Sequence, residues 1–116
     1  MSDSLTSPIY KLVQQLADKL LAKKLIISTA ESCTGGWISQ SLTALAGSSA
    51  WFDSGFVTYS NEAKQRLLNV PPQLFSIDGP GAVSEAVVLA MTAGAVQGGR
   101  ANLAVAVSGV AGPDGG

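Results

Sequence analysis

The amino-acid sequence predicts a layered α/β fold built around a largely parallel sheet. Amphipathic stretches with helical spacing alternate with short runs of apolar, β-branched residues, and this alternation is typical of sheets covered by helices. The chain has 116 residues, which fits one domain, and 47% of them are hydrophobic, so a substantial core is expected.

Four stretches have the apolar spacing of helices, and three of them follow a residue that can cap the first turn. The predicted helices begin after Ser7, at Trp37, after a cap at Ser60 or Asn61, and after Ser84. In the fourth helix, Val88, Met91 and Ala95 are expected to face the core.

Three apolar or aromatic runs are predicted to be strands, at 25–29, 51–60 and 103–108. Strict alternation in the second run places one set of side chains on one face, Phe52, Phe56 and Thr58, and another set on the other, Val57 and Tyr59. A glycine-rich loop follows the third run. We therefore expect a further element beyond residue 116, so that residues 1–116 form a single domain that is incomplete at its C-terminus.

The composition excludes several classes of site and partner. The chain has no histidine, which removes a Ser-His-Asp triad, a Cys-His dyad and most catalytic zinc sites built within it. No metal or other cofactor is therefore expected. The net charge of −1 gives no basic footprint for nucleic acid, and no apolar run approaches the roughly 18 residues of a membrane span. The N-terminus lacks a secretory pattern, so a cytoplasmic location is expected.

The turn after the first strand carries an unusual density of reactive groups, in the order Glu31, Ser32, Cys33, Thr34, Gly35, Gly36. In open α/β sheets, ligands bind at the carboxyl ends of strands, which is where this turn lies. The two glycines open a helix, so nearby N–H groups could receive an anion or an oxyanion, or Thr34 could simply cap that helix. Ser32 and Cys33 are the candidate nucleophiles, although a lone cysteine beside a strand is more often a small packing residue. Glu31 either orients a donor or favours the helix dipole.

A serine nucleophile needs an activating base, and without histidine the natural one is a lysine held neutral by burial. Lys64 lies five residues after Tyr59, at the start of a helix that leaves a strand, and Tyr59 could relay between Lys64 and Ser32. By spacing alone, a strand aromatic and a solvated surface lysine are the simpler interpretation.

Five segments, "AESCTGG", "GSSAWF", "GFVTYSNEAK", "GAVSE" and "SGVAGPDGG", together resemble the CinA C-terminal domain family, which includes the bacterial nicotinamide mononucleotide deamidases (PncC-type amidohydrolases). The segments occur in family order over residues 30–116. The resemblance implies a three-layer α/β/α sandwich with a largely parallel, mixed sheet. It also implies that the catalytic serine, tyrosine and lysine fall on Ser32, Tyr59 and Lys64.

The candidate substrate-binding residues are Glu31, Cys33, Thr34, Gly35, Gly36, Ser48, Asn61, Ser108, Gly109 and Gly112. The implied reaction is hydrolysis of the carboxamide of nicotinamide mononucleotide, with nicotinate mononucleotide and ammonia as products. The alternative is a non-catalytic nucleotide-binding or assembly module of a CinA-type protein. The partners expected are this small molecule and, because the sheet has exposed edges, a second copy of the chain in a homodimer.

Overall fold

A computed structural model describes residues 7–110 of the chain. Its helices are α1 (Pro8–Lys23), α2 (Trp37–Thr43), α3 (Asn61–Leu68) and α4 (Glu85–Gln97), and its strands are β1 (Ile27–Glu31), β2 (Phe52–Val57) and β3 (Leu103–Val107). Two short 3-10 turns, Ser48–Ala50 and Pro72–Phe75, complete the elements. No helix in this part of the chain is long and apolar enough to cross a membrane.

The predicted serine caps are confirmed at three helix starts. Ser7, Ser60 and Ser84 each accept a hydrogen bond through Oγ from a main-chain N–H three residues on, at 3.0, 3.0 and 3.2 Å. These caps satisfy N–H groups that the first turn of a helix leaves without a partner. They also fix where α3 begins, which sets the position of Lys64 one turn later.

The three strands form one sheet in the order β2-β1-β3, and both pairings are parallel. β1 lies in the centre and every one of its residues is buried. Because the strands are parallel, their carboxyl ends meet at one edge, where Glu31 pairs with Val57 on one side and Val107 on the other. The turn at 31–36 therefore leaves the sheet at the expected edge.

Helices cover both faces of the sheet, as a three-layer α/β/α arrangement requires. On the face called here the α1/α2 face, one core cluster joins the buried residues Val13, Ala17, Leu20, Ile27, Leu42 and Trp51. On the opposite α3/α4 face, a second cluster joins Ala30, Leu68, Val70, Val87, Met91 and Ala95. Alternation along β1 sends Thr29 and Glu31 to the α1/α2 face and Ala30 to the other.

The predicted alternation of β2 is wrong at its first residue. The β1–β2 register advances two residues in β1, from Ile27 to Thr29, while β2 advances three, from Phe52 to Gly55. This bulge inverts the side-chain alternation, so that Phe52 packs in the α1/α2 core and Phe56 in the α3/α4 core. After the bulge the prediction holds, because Thr58 is fully buried.

One strand boundary and the burial of two elements differ from the sequence predictions. β1 begins at Ile27 rather than residue 25, because the Leu25 N–H donates to the Leu20 carbonyl and so belongs to the end of α1. β3 is half-buried rather than buried, and its Val105 is 42% exposed. In α4, the predicted core residues Met91 and Ala95 are fully buried, whereas Val88 is only partly buried and Val87, which was not predicted, is fully buried.

Candidate active site

Ser32 and Lys64 meet in a buried contact at the carboxyl edge of the sheet. Ser32 follows β1 and lies on the same α3/α4 face as Ala30, where the first turn of α3 delivers Lys64. The Lys64 Nζ lies 3.0 Å from Ser32 Oγ, and the two residues are 1% and 6% exposed. The pair expected from the chemistry of a histidine-free chain is thus brought together across 32 residues of sequence.

Burial lowers the pKa of the Lys64 amine from its ordinary value, because removal from water disfavours the charged form. The electrostatic interaction with Cys33 acts in the opposite direction and raises the pKa of Lys64, but the burial effect is the larger. A lowered pKa increases the fraction of neutral amine at physiological pH. Lys64 therefore has the electrostatic character that a general base requires.

Tyr59 contacts this pair through its main chain. Its carbonyl oxygen accepts from Lys64 Nζ at 2.8 Å and from Ser32 Oγ at 3.4 Å, while the residue as a whole is 61% exposed. Since Lys64 and Ser32 touch directly, the predicted relay through the phenol between them is not required. The carbonyl holds the amine in place, and within the described residues the hydrogen bonds of Tyr59 to the pair come from its main chain alone.

Glu31 is completely buried and both of its carboxylate oxygens are occupied. Oε1 accepts from Thr34 Oγ1 at 2.7 Å and from the Ile38 N–H at 2.9 Å. Oε2 accepts from the N–H and the hydroxyl of Ser39 at 2.8 and 2.9 Å. The prediction of substrate contact by Glu31 is therefore corrected: this carboxylate caps α2 and ties the turn to it.

The ionised form of Glu31 is favoured in spite of its burial. Burial by itself would raise the pKa of Glu31, but the hydrogen bonds from Thr34, Ile38 and Ser39 outweigh that effect and hold the pKa below its ordinary value. A carboxylate at this position already fills the N-terminus of α2. A ligand anion is therefore not expected to bind to the first N–H groups of that helix.

The turn at 33–36 is shaped by Gly35 and Gly36, whose φ angles of 62° and 103° are in the left-handed region. The Gly35 N–H donates to the Ser32 carbonyl at 3.1 Å, so it is not free to hold an oxyanion as predicted. The N–H groups of Cys33, Thr34 and Gly36 have no recorded acceptor within residues 7–110. Thr34 does not cap α2 either, because Gly36 is the N-cap residue and Thr34 donates to Glu31.

The second glycine-rich loop reaches the same edge. A Cβ placed on Gly109 would lie 3.4 Å from the Cys33 sulfur, so the two loops are in contact. The Ser108 hydroxyl donates to the Ala82 carbonyl at 2.8 Å, which ties this loop to the segment before α4. The predicted binding residue Gly112 lies outside the described residues.

Ser48 and Asn61 occupy different ends of the molecule. Asn61 is the exposed first residue of α3, one turn before Lys64. Ser48 lies in the 3-10 turn that precedes β2, at the amino end of the parallel sheet, so one chain does not bring it to Ser32. It adjoins Gly47, which lines an open cleft of about 780 Å³ between α1 and this turn.

Thr58 was predicted only to share a strand face with Phe52 and Phe56, and it immediately precedes Tyr59, whose carbonyl contacts the pair. It lies between Val57, which pairs with Glu31, and Tyr59, whose carbonyl holds Lys64. It is fully buried, and its Oγ1 has no hydrogen-bond partner within the described part of the chain. A β-branched residue in a strand is ordinary in sequence, so no local signal could have distinguished it.

Comparison with known proteins identifies the family to which the chain is similar. A model of the CinA C-terminal domain family matches residues 9–116. The nicotinamide-nucleotide amidohydrolase PncC of Escherichia coli K12 is 50% identical over 110 residues, which make up 95% of this chain and 66% of that protein. A CinA-like protein of Colwellia psychrerythraea is 48% identical over 120 residues, and the match covers 100% of this chain and 27% of that one.

The fold is also found in solved structures. The competence/damage-inducible protein CihA from Agrobacterium tumefaciens has a TM-score of 0.87 and 47% sequence identity to this chain, over 95% of this chain and 66% of that one. The chain therefore spans about two thirds of the length of the Escherichia coli and Agrobacterium tumefaciens proteins.

Proposed function

This chain belongs to the CinA C-terminal domain family, and from that premise we propose that it forms the catalytic part of an amidohydrolase acting on nicotinamide mononucleotide. The observation that carries the proposal is the buried contact of 3.0 Å between Lys64 Nζ and Ser32 Oγ. The 50% identity to a nicotinamide-nucleotide amidohydrolase supports the choice of substrate. The products are nicotinate mononucleotide and ammonia.

In the proposed reaction, Ser32 Oγ attacks the carboxamide carbon while neutral Lys64 takes the Ser32 proton. The Tyr59 carbonyl keeps the amine directed at the hydroxyl throughout this step. The proton then passes to the departing ammonia, assisted by the exposed Tyr59 phenol. Water cleaves the resulting nicotinoyl–serine ester and restores both side chains.

The oxyanion of this reaction is assigned to N–H groups of the turn that follows Ser32. Those of Cys33, Thr34 and Gly36 have no acceptor within residues 7–110 and are held by the buried Glu31 network. One such donor contributes about 3 kcal/mol of barrier lowering. The loop from Ser108 is proposed to line the pocket, because Gly109 lies against Cys33.

The proposal is tested by ammonia release from nicotinamide mononucleotide with the purified protein and its Ser32→Ala and Lys64→Ala variants. We expect turnover to fall by about 10²–10⁴-fold in Lys64→Ala, as for loss of a general base, and at least as far in Ser32→Ala. Ser49→Ala and Lys23→Ala change exposed residues of the same types and serve as controls. Undiminished turnover in either site variant would refute the mechanism.

Trapping the acyl-enzyme at low pH and mapping the modified peptide by mass spectrometry shows whether Ser32 or Cys33 is the nucleophile. We expect the nicotinoyl group on Ser32, since the Ser32 hydroxyl is hydrogen-bonded to the Lys64 amine, whereas no hydrogen bond joins Cys33 to that amine within the described residues. A Cys33→Ala variant should still form the adduct. An adduct on Cys33 would show that the thiol, and not the Ser32 hydroxyl, is the nucleophile.

A second candidate function is a nucleotide-binding or assembly module without catalysis. It is favoured by the CinA-like protein of Colwellia psychrerythraea, in which the matched part is 27% of a longer chain. Binding of the mononucleotide without any ammonia release, in a chain whose Ser32 and Lys64 are intact, would support this module. A cytoplasmic location and a homodimer complete the proposal, and sedimentation equilibrium tests the second.

A further inference from the structure

The hydroxyl of Ser39 in α2 links β1 to the turn at 31–36, and the proposed reaction does not use it. Ser39 Oγ donates to Glu31 Oε2 at 2.9 Å and lies 2.6 Å from Thr29 Oγ1. Because the Ser39 proton is committed to the carboxylate, the proton between the two hydroxyls comes from Thr29. Thr29, Ser39 and Glu31 therefore form one chain in which both hydroxyl protons point towards the carboxylate.

The other oxygen of this carboxylate holds Thr34. Glu31 Oε1 accepts from Thr34 Oγ1 at 2.7 Å, and the Thr34 carbonyl accepts from the Trp37 N–H at 3.1 Å. With its hydroxyl and carbonyl both bonded, the main-chain N–H is the polar group of Thr34 for which no partner is recorded within residues 7–110. The peptide group that carries this N–H is thus fixed by its neighbours, two residues after Ser32.

A glycine in β2 provides the room for Ser39. The β1–β2 ladder pairs Thr29 with Gly55, directly after the bulge in β2. A Cβ placed on Gly55 would collide with Ser39 Oγ and would lie 2.9 Å from Thr29 Oγ1. The φ angle of Gly55 is not in the left-handed region, so the close approach of these hydroxyls, and not the backbone conformation, requires glycine here.

We propose that Ser39 is a positioning residue for the amidohydrolase reaction, acting through Glu31 on Thr34, and that it holds the Thr34 N–H where the oxyanion forms. This inference rests on the proposed function and on its assignment of the oxyanion to the turn. Donors that are held in place before the reaction stabilise developing charge best, because they need not reorient. Ser39 therefore raises kcat without contacting the substrate, and Gly55 is the space that admits its hydroxyl.

The test compares kcat and KM for ammonia release from nicotinamide mononucleotide. Ser39→Ala should lower kcat by about 10-fold, less than the about 10²–10³-fold expected when a donor is removed outright. KM should stay unchanged, because the oxyanion exists only in the transition state. Gly55→Ala should have the same effect, since its Cβ displaces the Ser39 hydroxyl. Ser41→Ala is the matched control, because the Ser41 hydroxyl donates to the Trp37 carbonyl within α2, and it should change neither constant.

A double variant shows whether Gly55 acts through Ser39. In Ser39→Ala/Gly55→Ala the hydroxyl that the new Cβ would strike is already absent, so the loss in kcat should be close to that of Ser39→Ala alone. Losses that multiply would show that the two substitutions act independently, and would contradict the assigned route through the Ser39 hydroxyl.

The rigidity of the turn gives a second readout that does not depend on turnover. The ¹⁵N order parameter of the Thr34 N–H should be about 0.85 in the wild-type protein and in Ser41→Ala, and should fall below about 0.6 in Ser39→Ala. Unchanged kcat in both Ser39→Ala and Gly55→Ala would overturn the inference, as would a Thr34 order parameter that keeps its wild-type value in Ser39→Ala. Absence of ammonia release from the wild-type protein would refute the proposed function, and the order parameter would still show whether Ser39 holds the turn.

Discussion

At the scale of single residues, Lys64 is a side chain whose burial opposes folding. It is 1% exposed and has no carboxylate partner among the described residues, only the oxygens of Ser32 and Tyr59. Burial of an amine in such surroundings is expected to be retained for reactivity rather than for stability. Replacing Lys64 by an uncharged side chain of similar size therefore tests whether the lysine serves reactivity or stability.

Lys64→Met should abolish turnover and raise the free energy of unfolding at pH 7 by about 1–3 kcal/mol, since a methionine fills the space without a charge to bury. Ser32 Oγ and the Tyr59 carbonyl remain partners for each other at 3.4 Å. Urea denaturation measures the difference. Lys23→Met, at an exposed position, should leave the midpoint unchanged.

The pH dependence of that difference follows from the lowered pKa of Lys64. Between this pKa and the value of about 10.4 in the unfolded chain, the unfolded state holds more protons than the folded state. The free energy of unfolding of the wild-type protein therefore rises with pH in this window, and the advantage of Lys64→Met shrinks. A difference that stays constant up to pH 10 would contradict a lowered pKa.

Unlike the amine of Lys64, the buried carboxylate of Glu31 is expected to stabilise the fold. Four donors hold its carboxylate, so Glu31→Gln, which replaces an acceptor by an NH₂ group, should lower the free energy of unfolding by about 2 kcal/mol at pH 7. Because the folded pKa is lowered, this contribution is present above about pH 4.3 and is lost as the pH falls through the folded value. The free energies of unfolding of the wild-type protein and Glu31→Gln, measured by denaturation, should therefore differ by a large amount at pH 7 and by a small amount at pH 3.

Glu62→Gln is the control for that experiment, because Glu62 is exposed and pairs only with Arg66 one helical turn away. It should change the midpoint little at either pH. A Glu31→Gln variant as stable as this control would show that the network around Glu31 does not hold the turn.

The chemistry of these residues could be predicted, but their contacts could not. The lack of histidine restricts the base to very few residue types, with lysine the natural one. The spacing of Lys64 nevertheless favoured a solvated surface residue, and only the structure shows that Lys64 is 1% exposed. The partners of Glu31 are an N–H seven residues away and a serine eight residues away. Only the fold of the turn decides whether its carboxylate faces a ligand or a helix, and here it faces the helix.

At the scale of elements, the position of Lys64 depends on how closely α3 packs against α4. A Cβ on Gly94 would collide with the main-chain carbonyl of Leu68, the last residue of α3. A main-chain carbonyl cannot move aside as a flexible side chain can, so glycine at this position permits the close approach. The same contact holds α3, which carries Lys64, against α4.

Gly94→Ala should therefore lower the free energy of unfolding by about 1–3 kcal/mol and reduce turnover, because α3 must move away from α4. Ala93→Ser, which adds an atom to an exposed neighbouring position of α4, is the control and should do neither. The measurements are urea denaturation and ammonia release. Retention of full activity in Gly94→Ala would show that the position of α3 tolerates this displacement.

Helices and strands were predictable where the sequence pattern is local, and less so where the structure depends on the register between two strands. The three serine caps and the order of helices and strands follow from residues within one turn of each other. The bulge that sends Phe52 and Phe56 to opposite faces arises from the register between β1 and β2. A single-strand pattern carries no information on that register.

At the scale of the whole molecule, the parallel sheet brings the ends of separate strands to one edge. This is why two glycine-rich loops more than 70 residues apart in sequence could be expected to meet, and Gly109 does lie against Cys33. The same topology separates Ser48 from them, since the turn before β2 lies at the other end of the sheet. The family resemblance does not indicate at which end of the sheet a given residue lies.

A ligand that binds the folded chain alone must stabilise it, whether or not it reacts. In Ser32→Ala, which cannot consume the substrate, nicotinamide mononucleotide at 100 times its Kd should raise the free energy of unfolding by about 2.7 kcal/mol. The measurement is a thermal melt over a series of ligand concentrations. Nicotinamide riboside, which lacks the phosphate, reports by comparison whether the phosphate is bound, and adenosine monophosphate reports whether the nicotinamide ring is. If the mononucleotide does not change the melting temperature, both the amidohydrolase and the binding module are excluded for this chain. If adenosine monophosphate raises the melting temperature as much as the mononucleotide does, a general nucleotide-binding module is favoured.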